Sequence, residues 1–152
     1  MIAVLQRVNE ASVTADGREA GRCGAGLCVL LGVAQGDTER DAEALAEKIL
    51  GLRIFPDGND KMNLSLRDVD GEMLVVSNFT LLAAYKKGKR PDYMGAAAPA
   101  EANRLYEFFC ELCEREVRHV GCGVFGAHME IDLRADGPVT IVMDSRVLLT
   151  GK

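Results

Sequence analysis

Residues 27–33 read LCVLLGV, an unbroken apolar run. A short run of this kind is typical of a β-strand that is buried on both faces. The chain before it predicts a β-hairpin. Residues 2–14 alternate in part and are rich in β-branched side chains, Asp16-Gly17 is a strong two-residue turn signal, and residues 18–23 return as the second strand. The first part of the chain is therefore predicted to be β-sheet.

The rest of the chain mixes strands with two helices. The first helix is predicted over about 38–51, with Asp37 or Thr38 as its cap, and the second over about 99–117, opened by Pro99. Strands are predicted at residues 52–55, 73–76, 127–134 and 138–144, with a break between the last two at 136–138. Because strands outnumber helices and do not alternate regularly with them, we expect an α+β domain of antiparallel or mixed sheet. No linker interrupts the sequence, so residues 1–152 are expected to form one domain.

The composition is that of a globular protein with a substantial core. Hydrophobic residues make up 48% of 152 positions, and a chain of this length needs no disulfide or metal for stability. The N-terminal sequence lacks a basic segment followed by a long apolar run, and the longest apolar stretch, residues 26–34, is too short to cross a bilayer. We therefore expect a cytoplasmic protein without a membrane partner, in which the five cysteines are reduced thiols.

The overall charge of the chain does not indicate a nucleic-acid partner. The net charge is −5, so contact with a nucleic acid requires a local basic patch. A loop predicted at about 85–95 carries such a patch, made of Lys86, Lys87, Lys89 and Arg90. From charge alone, two interpretations stay open: a solvated surface loop, as most charge runs are, or a surface that engages phosphates.

Several familiar catalytic motifs are absent from the sequence. It contains no G-x-x-x-x-G-K-[ST] loop, no strand–GxGxxG–helix unit and no G-x-S-x-G nucleophile elbow, and it has only two histidines. Nucleotide-dependent chemistry and a conventional Ser-His-Asp hydrolase are therefore disfavoured.

The spacing of Cys110, Cys113, His119 and Cys122 approaches that of zinc ligands. The alternative is that Cys110 and Cys113 lie on one apolar face of the second helix and pack as small hydrophobic side chains. Zinc knuckles usually place paired cysteines on a tight turn rather than within a helix, which favours packing. We expect no metal and no other cofactor.

Ser77-Asn78-Phe79-Thr80 follows a buried strand, a position where loops often carry function. Hydroxyl, amide and backbone N–H groups there are suited to bind a carbonyl and to form an oxyanion hole, although turn hydrogen bonds at a strand end would explain this segment by itself. Gly137-Pro138 is ordinary turn sequence, since only about 5–6% of X-Pro bonds are cis. Arg7, His128 and Met129 are first interpreted as strand residues.

Taken together, these segments resemble the D-aminoacyl-tRNA deacylase family nearly end to end. The resemblance is carried, in order and spacing, by residues 4–8 (VLQRV), 53–57 (RIFPD), 61–65 (KMNLS), 77–81 (SNFTL), 89–91 (KRP), 97–99 (AAP), 125–129 (FGAHM) and 137–140 (GPVT). It implies an α+β fold with barrel-like sheets and hydrolysis of the ester that joins a D-amino acid, or glycine, to tRNA. The partners that it implies are tRNA and a second copy of the chain in a homodimer, with no DNA.

The resemblance also implies roles for particular residues. Ser77, Phe79 and Thr80 are expected at the catalytic site, with Asn78 beside them to bind the substrate. The residues expected to bind tRNA are Lys86, Lys87, Lys89 and Arg90. Position 78 departs from the family's pattern, because Asn stands where Gln is common.

Chiral selection is expected to come from Gly137-Pro138, typically a cis pair in this family. The pair is expected to reach into the partner subunit's pocket, where its carbonyls crowd the face on which an L side chain would project. Arg7 is expected to hold the pair in place, and Met129 to lie near it. Ala135 is a second departure, because an Asn usually precedes the x-Gly-Pro triplet.

No plausible general base is evident, since His119 follows the second helix and His128 is not at a position that the family uses. We therefore expect backbone N–H groups of Phe79 and Thr80 to stabilise the oxyanion, while the 2′-hydroxyl of the substrate activates water or the ester. Thr80 as a covalent nucleophile is the alternative.

Three other interpretations stay open. A non-catalytic RNA-binding module would explain the basic loop, and a zinc-stabilised interaction domain would explain the Cys/His spacing. A neighbouring enzyme with a trans Gly-Pro pair would admit L-alanine.

Overall fold

In the computed structural model, which describes residues 1–150, one long strand runs through the sheet. This strand, β1 (Ile2–Ala15), turns at Asp16-Gly17 into β2 (Arg18–Cys23). Both turn residues have positive φ, 51° and 74°, as a two-residue type I′ turn requires. The predicted hairpin is therefore confirmed.

The apolar run at 27–33 lies at the centre of the sheet as β3 (Gly26–Gly32). It pairs antiparallel with β1 on one side and parallel with a later strand, Glu72–Ser77, on the other. Between them in the chain, β4 (Phe55–Pro56) and β5 (Met62–Leu64) form a small separate hairpin, so Glu72–Ser77 is β6. β7 (Val120–Cys122) extends the sheet parallel to β6, and β8 (Met129–Asp144) runs antiparallel along the whole of β1. This mixed sheet confirms the predicted α+β class.

The two ends of the sheet approach each other. A Cβ on Gly21 of β2 would lie 2.7 Å from the carbonyl oxygen of Cys122, and one on Gly121 of β7 would lie 2.4 Å from that of Arg22. At the same seam, Nε2 of His119 lies 2.8 Å from the carbonyl oxygen of Arg22. Only glycine allows this approach at positions 21 and 121, so the expected barrel-like sheet is confirmed and is nearly closed.

Within residues 1–150, three α-helices are present where two were predicted. α1 (Glu39–Gly51) begins after Thr38, whose backbone N–H donates to the carboxylate of Asp41 at 2.8 Å. α2 (Pro99–Glu114) begins at Pro99 as predicted but ends before residue 117. α3 (Ser145–Leu149) is a single turn that was not predicted. The core between α1, α2 and the sheet includes Leu5, Leu31, Leu45, Ile49, Met73, Leu105 and Phe109.

A buried polar network ties α3 to the start of α1. The ammonium group of Met1 donates to Oγ of Ser145 and pairs with the carboxylate of Asp37, both at 2.7 Å. The hydroxyl of Ser145 donates in turn to Asp41 at 2.6 Å. Burial opposes the charge on Asp41, but hydrogen bonds from Ser145 and Thr38, together with the nearby ammonium, hold its pKa below the ordinary value.

The predicted strand at 52–55 was wrong except at its last residue. Ladder pairing begins only at Phe55, because the N–H of Ile54 donates to the carbonyl of Leu52 at 3.1 Å, a tight local turn that takes this donor away from a sheet.

The two strands predicted at the C-terminal end are one strand, β8, with a break in register where the interruption was expected. Between the paired residues Ala135 and Thr140, the four residues 136–139 stand opposite the single residue Arg7 of β1. We call residues 136–139 the Gly-Pro bulge. No helix within residues 1–150 has the length and apolar character needed to span a membrane.

Candidate active site

A cavity of about 930 Å³ opens where β6 ends, beside β3 and the first turn of α2. Its walls come mainly from three segments of the chain: residues 77–80, residues between 93 and 99, and residues 125–129. The floor is largely apolar, and the polar groups cluster at residues 77–80. A deep, mostly apolar cavity with a few convergent polar groups is the usual form of a small-molecule or cofactor site.

The end of β6 and the residues after it place residues 77–80 on the wall of this cavity. β6 is buried from Met73 to Val76, and the N–H of Asn78 still donates to the carbonyl of Leu31 at 2.8 Å. The chain then leaves the sheet in a short 3-10 helix, Phe79–Leu82. The three residues expected at the catalytic site, Ser77, Phe79 and Thr80, therefore lie together with Asn78, which was expected to bind the substrate, and Phe79 is 58% exposed.

Thr80 and Asn78 are linked directly. The hydroxyl of Thr80 donates to Oδ1 of Asn78 at 2.5 Å. A carboxamide oxygen accepts a hydrogen bond but is not a base that would remove the proton. Within residues 1–150, the Thr80 hydroxyl makes no hydrogen bond to a histidine, aspartate or glutamate side chain, so its nucleophilicity is not raised by a neighbour.

The backbone N–H groups of Phe79 and Thr80 are available to a ligand. They open the 3-10 helix, where no intrahelical acceptor exists for them. In the described part of the chain, neither group donates to another backbone or side-chain acceptor. Two adjacent N–H donors on the wall of an apolar cavity are the arrangement that stabilises an oxyanion.

Three further side chains line the cavity although the sequence did not single them out for it. Tyr93 packs edge-on against Phe79, with ring centroids 5.1 Å apart. Tyr106 lies deeper, where burial raises its pKa and its hydroxyl donates to the carbonyl of Val75 at 2.8 Å. His128, which was set aside as a base, also lies on the wall. Nothing in the sequence signals the two tyrosines, because the contact between residues 79 and 93 exists only in the folded chain.

The basic loop lies next to the mouth of the cavity. Ala84 and Asp92 exchange two backbone hydrogen bonds, of 2.7 and 2.8 Å, that close its base, and the following residue, Tyr93, is part of the cavity wall. The loop carries the four predicted cations, Lys86, Lys87, Lys89 and Arg90, all of them exposed. None of the four pairs with an acidic side chain within residues 1–150.

The Gly-Pro bulge lies outside the cavity of its own chain. Gly137 and Pro138 are exposed, the peptide bond between them is cis, and neither residue lines the cavity. Arg7 is only 9% exposed and holds the bulge: its Nε lies 3.1 Å from both the carbonyl oxygen and the carboxylate of Asp136, and its Nη1 donates to the carbonyl of Ile54 at 2.7 Å. The expected contact between Arg7 and this segment is therefore present.

Met129, which was expected near the Gly-Pro pair, lines the cavity instead. It precedes Gly137 by eight residues on β8, which at about 3.3 Å per residue separates the two by roughly 25 Å within one chain. The two come together only if the Gly-Pro bulge of another copy approaches the cavity.

The five cysteines are free thiols that are buried or half-buried. Within residues 1–150, no three side chains of the His, Cys, Asp or Glu type are placed to hold a metal ion. Cys110 and Cys113 are buried on α2, and burial raises the pKa of Cys113 to about 12. A hydrogen bond between Cys110 and Cys122 raises the pKa of Cys110 and lowers that of Cys122. This geometry favours the packing interpretation.

The same fold occurs in solved structures. One, described as a c-Myc DNA unwinding element binding protein, is 40% identical, with a TM-score of 0.89 over 95% of this chain and 98% of that one. Another, described as a probable eukaryotic D-amino acid tRNA deacylase, has a TM-score of 0.79 over 93% and 97% of the two chains, at an identity of 16% that shows a likeness of fold alone. The architecture therefore defines a class of α+β domains that occurs in both of these proteins.

Sequence comparison gives the family within this class. The family model described as D-Tyr-tRNA(Tyr) deacylase matches residues 4–144. Proteins named D-aminoacyl-tRNA deacylase are 56% identical in Caldicellulosiruptor bescii (96% of this chain, 98% of that one) and 56% identical in Dehalococcoides mccartyi (96% and 95%). The one from Syntrophobacter fumaroxidans is 52% identical over the same share of this chain. The chain belongs to the D-aminoacyl-tRNA deacylase family, whose members are hydrolases that act on ester bonds.

Proposed function

We propose that this chain, as one domain, hydrolyses the ester of D-aminoacyl-tRNA and of mischarged glycyl-tRNA in the cytoplasm, as a proofreading step of translation. The observation that carries the proposal is the cavity wall at residues 77–80, where two free backbone N–H groups and an oriented hydroxyl meet an apolar cavity, in a chain that belongs to this family. The products are the free amino acid and tRNA.

The chemistry needs little from the protein beyond positioning. Water attacks the ester carbonyl, the N–H groups of Phe79 and Thr80 stabilise the oxyanion of the tetrahedral intermediate, and collapse expels the 3′-oxygen of the terminal ribose. The vicinal 2′-hydroxyl of the substrate relays the proton from the attacking water to the departing 3′-oxygen. Asn78 holds the Thr80 hydroxyl, and therefore fixes the conformation of the wall rather than generating a nucleophile.

Substitution of Thr80 separates this mechanism from covalent catalysis. We expect Thr80→Val to retain single-turnover hydrolysis within about tenfold of the wild type, and a substrate with a 2′-deoxy terminal adenosine to lose about a hundredfold or more. Thr150→Val is a matched control, because the Thr150 hydroxyl donates to the carbonyl of Arg146 at 2.8 Å after α3, outside the cavity. Near-complete loss with Thr80→Val alone would identify Thr80 as the nucleophile.

We further propose that the active form is a homodimer in which the partner's Gly-Pro bulge enters the cavity. Ile131, Leu133 and Val142 of β8 are 37%, 45% and 69% exposed, an apolar surface continuous with the cavity because Ile131 also lies on its wall. A second copy seated on this surface covers it and brings the exposed Gly137-Pro138 to the cavity that its own chain cannot reach. Sedimentation showing a monomer at micromolar concentration contradicts this arrangement.

Chiral selection follows from this arrangement by steric exclusion. The carbonyl groups of the Gly-Pro bulge occupy the side of the cavity on which an L side chain would project, while a D side chain points away and glycine has none. D-aminoacyl and glycyl esters are therefore accepted, and L-aminoacyl esters are rejected.

The first test is hydrolysis of D-Tyr-tRNA, L-Tyr-tRNA and Gly-tRNA, each with and without EDTA. Release from the D and glycyl substrates only, unaffected by the chelator, supports the proposal. Binding of tRNA without release from any ester indicates the RNA-binding module instead, and release from an L-ester indicates the neighbouring L-alanine enzyme. Because one solved relative is named for DNA binding, duplex DNA is the competitor of choice, and strong inhibition of hydrolysis by it contradicts selectivity for tRNA.

A further inference from the structure

Tyr85 is an exposed aromatic side chain that packs against no other aromatic ring within residues 1–150. At 81% exposure it is the most exposed large hydrophobic side chain within residues 1–150. Neither aromatic pair in this part of the chain includes it: those pairs are Phe79 with Tyr93 and Tyr106 with Phe125. The chain has three tyrosines, and the other two pack against phenylalanines in the cavity wall. An exposed aromatic ring offers a flat apolar face on which a partner can pack.

The backbone fixes Tyr85 near the mouth of the cavity. It directly follows Ala84, which is held to Asp92 by two backbone hydrogen bonds. Asp92 in turn precedes Tyr93, whose ring packs on Phe79 of the oxyanion segment. Tyr85 is thus at the root of the basic loop, where the position of the backbone is set, and not at its tip.

The charge around Tyr85 specifies the partner. The two residues after it are Lys86 and Lys87, and Lys89 and Arg90 follow within the same loop, in a chain whose net charge is −5. Four unpaired cations beside an exposed ring form the combination that binds single-stranded nucleic acid, with cations on the phosphates and an aromatic face on a base.

We propose that Tyr85 is the stacking platform for an unpaired base of the single-stranded RNA 3′ end, one that precedes the terminal adenosine. The inference rests on the proposed function, in which the cavity holds the aminoacyl group of the terminal nucleotide. The RNA strand that leaves the cavity then passes the root of the basic loop. A base that precedes the terminal adenosine stacks on the Tyr85 ring, and the lysines contact the phosphates of the RNA. Stacking tolerates any base, so Tyr85 contributes affinity and orientation without reading sequence.

A tryptophan placed at this position reports stacking directly. The chain contains no tryptophan, so Tyr85→Trp introduces a single indole whose fluorescence is quenched when a base stacks on it. We expect saturable quenching of the indole fluorescence on titration with an oligoribonucleotide that ends in CCA and carries no amino acid. We expect no quenching with adenosine alone. Val147→Trp is the matched control, because Val147 is 74% exposed on α3 and does not line the cavity. Equal quenching of both variants, or of neither, overturns the inference.

Steady-state kinetics test whether the contact serves the reaction. We expect Tyr85→Ala to raise KM for D-Tyr-tRNA about tenfold with kcat unchanged, and Tyr85→Phe to behave as the wild type. Hydrolysis of D-tyrosyl-adenosine, which lacks the preceding nucleotides, should be unaffected by either change. An unchanged KM for Tyr85→Ala in an active enzyme overturns the stacking role alone. A wild type that hydrolyses no D-ester overturns the proposed function, while the fluorescence titration still decides the stacking contact.

Discussion

Replacement of Arg7 by Met tests how far one buried cation determines both stability and selectivity. Methionine keeps a buried aliphatic side chain at this position of β1 and removes the guanidinium. The substitution removes three contacts of the guanidinium: a 2.7 Å hydrogen bond to the carbonyl of Ile54, a 3.1 Å hydrogen bond to the carbonyl of Asp136, and the ion pair with the Asp136 carboxylate. The carbonyl of Ile54 is left without this donor in a buried position.

The magnitude follows from these contacts. Hydrogen bonds from a charged donor contribute about 1.5–3 kcal/mol each, and the ion pair adds less than about 1 kcal/mol because Asp136 is 44% exposed. The expected loss in the free energy of unfolding is about 3–5 kcal/mol, as is usual when a buried charged partner is removed. With a urea dependence of about 2 kcal/mol per molar, the midpoint falls by about 2 M.

The assay is urea unfolding of Arg7→Met beside Arg134→Met. Arg134 is a matched control because its pair with Glu10, at 3.6 Å, is exposed on both sides, so its loss shifts the midpoint by less than about 0.5 M. Under the proposed function, Arg7→Met also releases the Gly-Pro bulge, and the ratio of D to L hydrolysis falls. Equal midpoints for the two variants refute the role assigned to Arg7.

Three further results are expected. Cys122 should be the one thiol that reacts rapidly with a disulfide reagent, because its hydrogen bond with Cys110 lowers its pKa and it is only half-buried; fast labelling that survives Cys122→Ser contradicts this. Asp41→Asn should lower the free energy of unfolding by about 1–3 kcal/mol at neutral pH. Since the pKa of Asp41 is held below its ordinary 3.8, this stabilisation is present above that pH and is lost as the pH falls through the lowered pKa, so variant and wild type should converge in acid unfolding. His128→Gln should leave kcat within about twofold, although His128 lies on the cavity wall; a large loss of kcat makes His128 the base.

The elements that the sequence predicts well are those specified by adjacent residues. The turn at Asp16-Gly17 needs positive φ at two neighbouring positions, and the start of α1 needs a capping residue at Thr38, so each signal is local. β7 has no such signal: Val120–Cys122 contains a glycine and becomes a strand only because β6 lies beside it. α3 is likewise a single turn, held by contacts to Met1 and Asp41 that are remote in sequence.

The site could be predicted only in part. Physical reasoning from Ser77 to Thr80 left a turn and an oxyanion hole as alternatives, and only the family resemblance favoured the oxyanion hole. The positions of Tyr93 and His128 on the cavity wall result from tertiary folding, which no spacing in the sequence encodes. The distance between Met129 and Gly137 could not be predicted either, since the resemblance describes an assembled pocket rather than a single chain.

Under the proposed homodimer, the exposed apolar side chains of β8 have a consequence for the lifetime of the protein. When two folded chains separate only as they unfold, the unfolding equilibrium depends on total concentration, and each tenfold increase adds about 1.4 kcal/mol per dimer. Dilution would then weaken the fold itself as well as the assembly. In a cell, the level of expression would govern the survival of each copy against proteolysis, and a partly repressed gene would yield a population that is both smaller and shorter-lived.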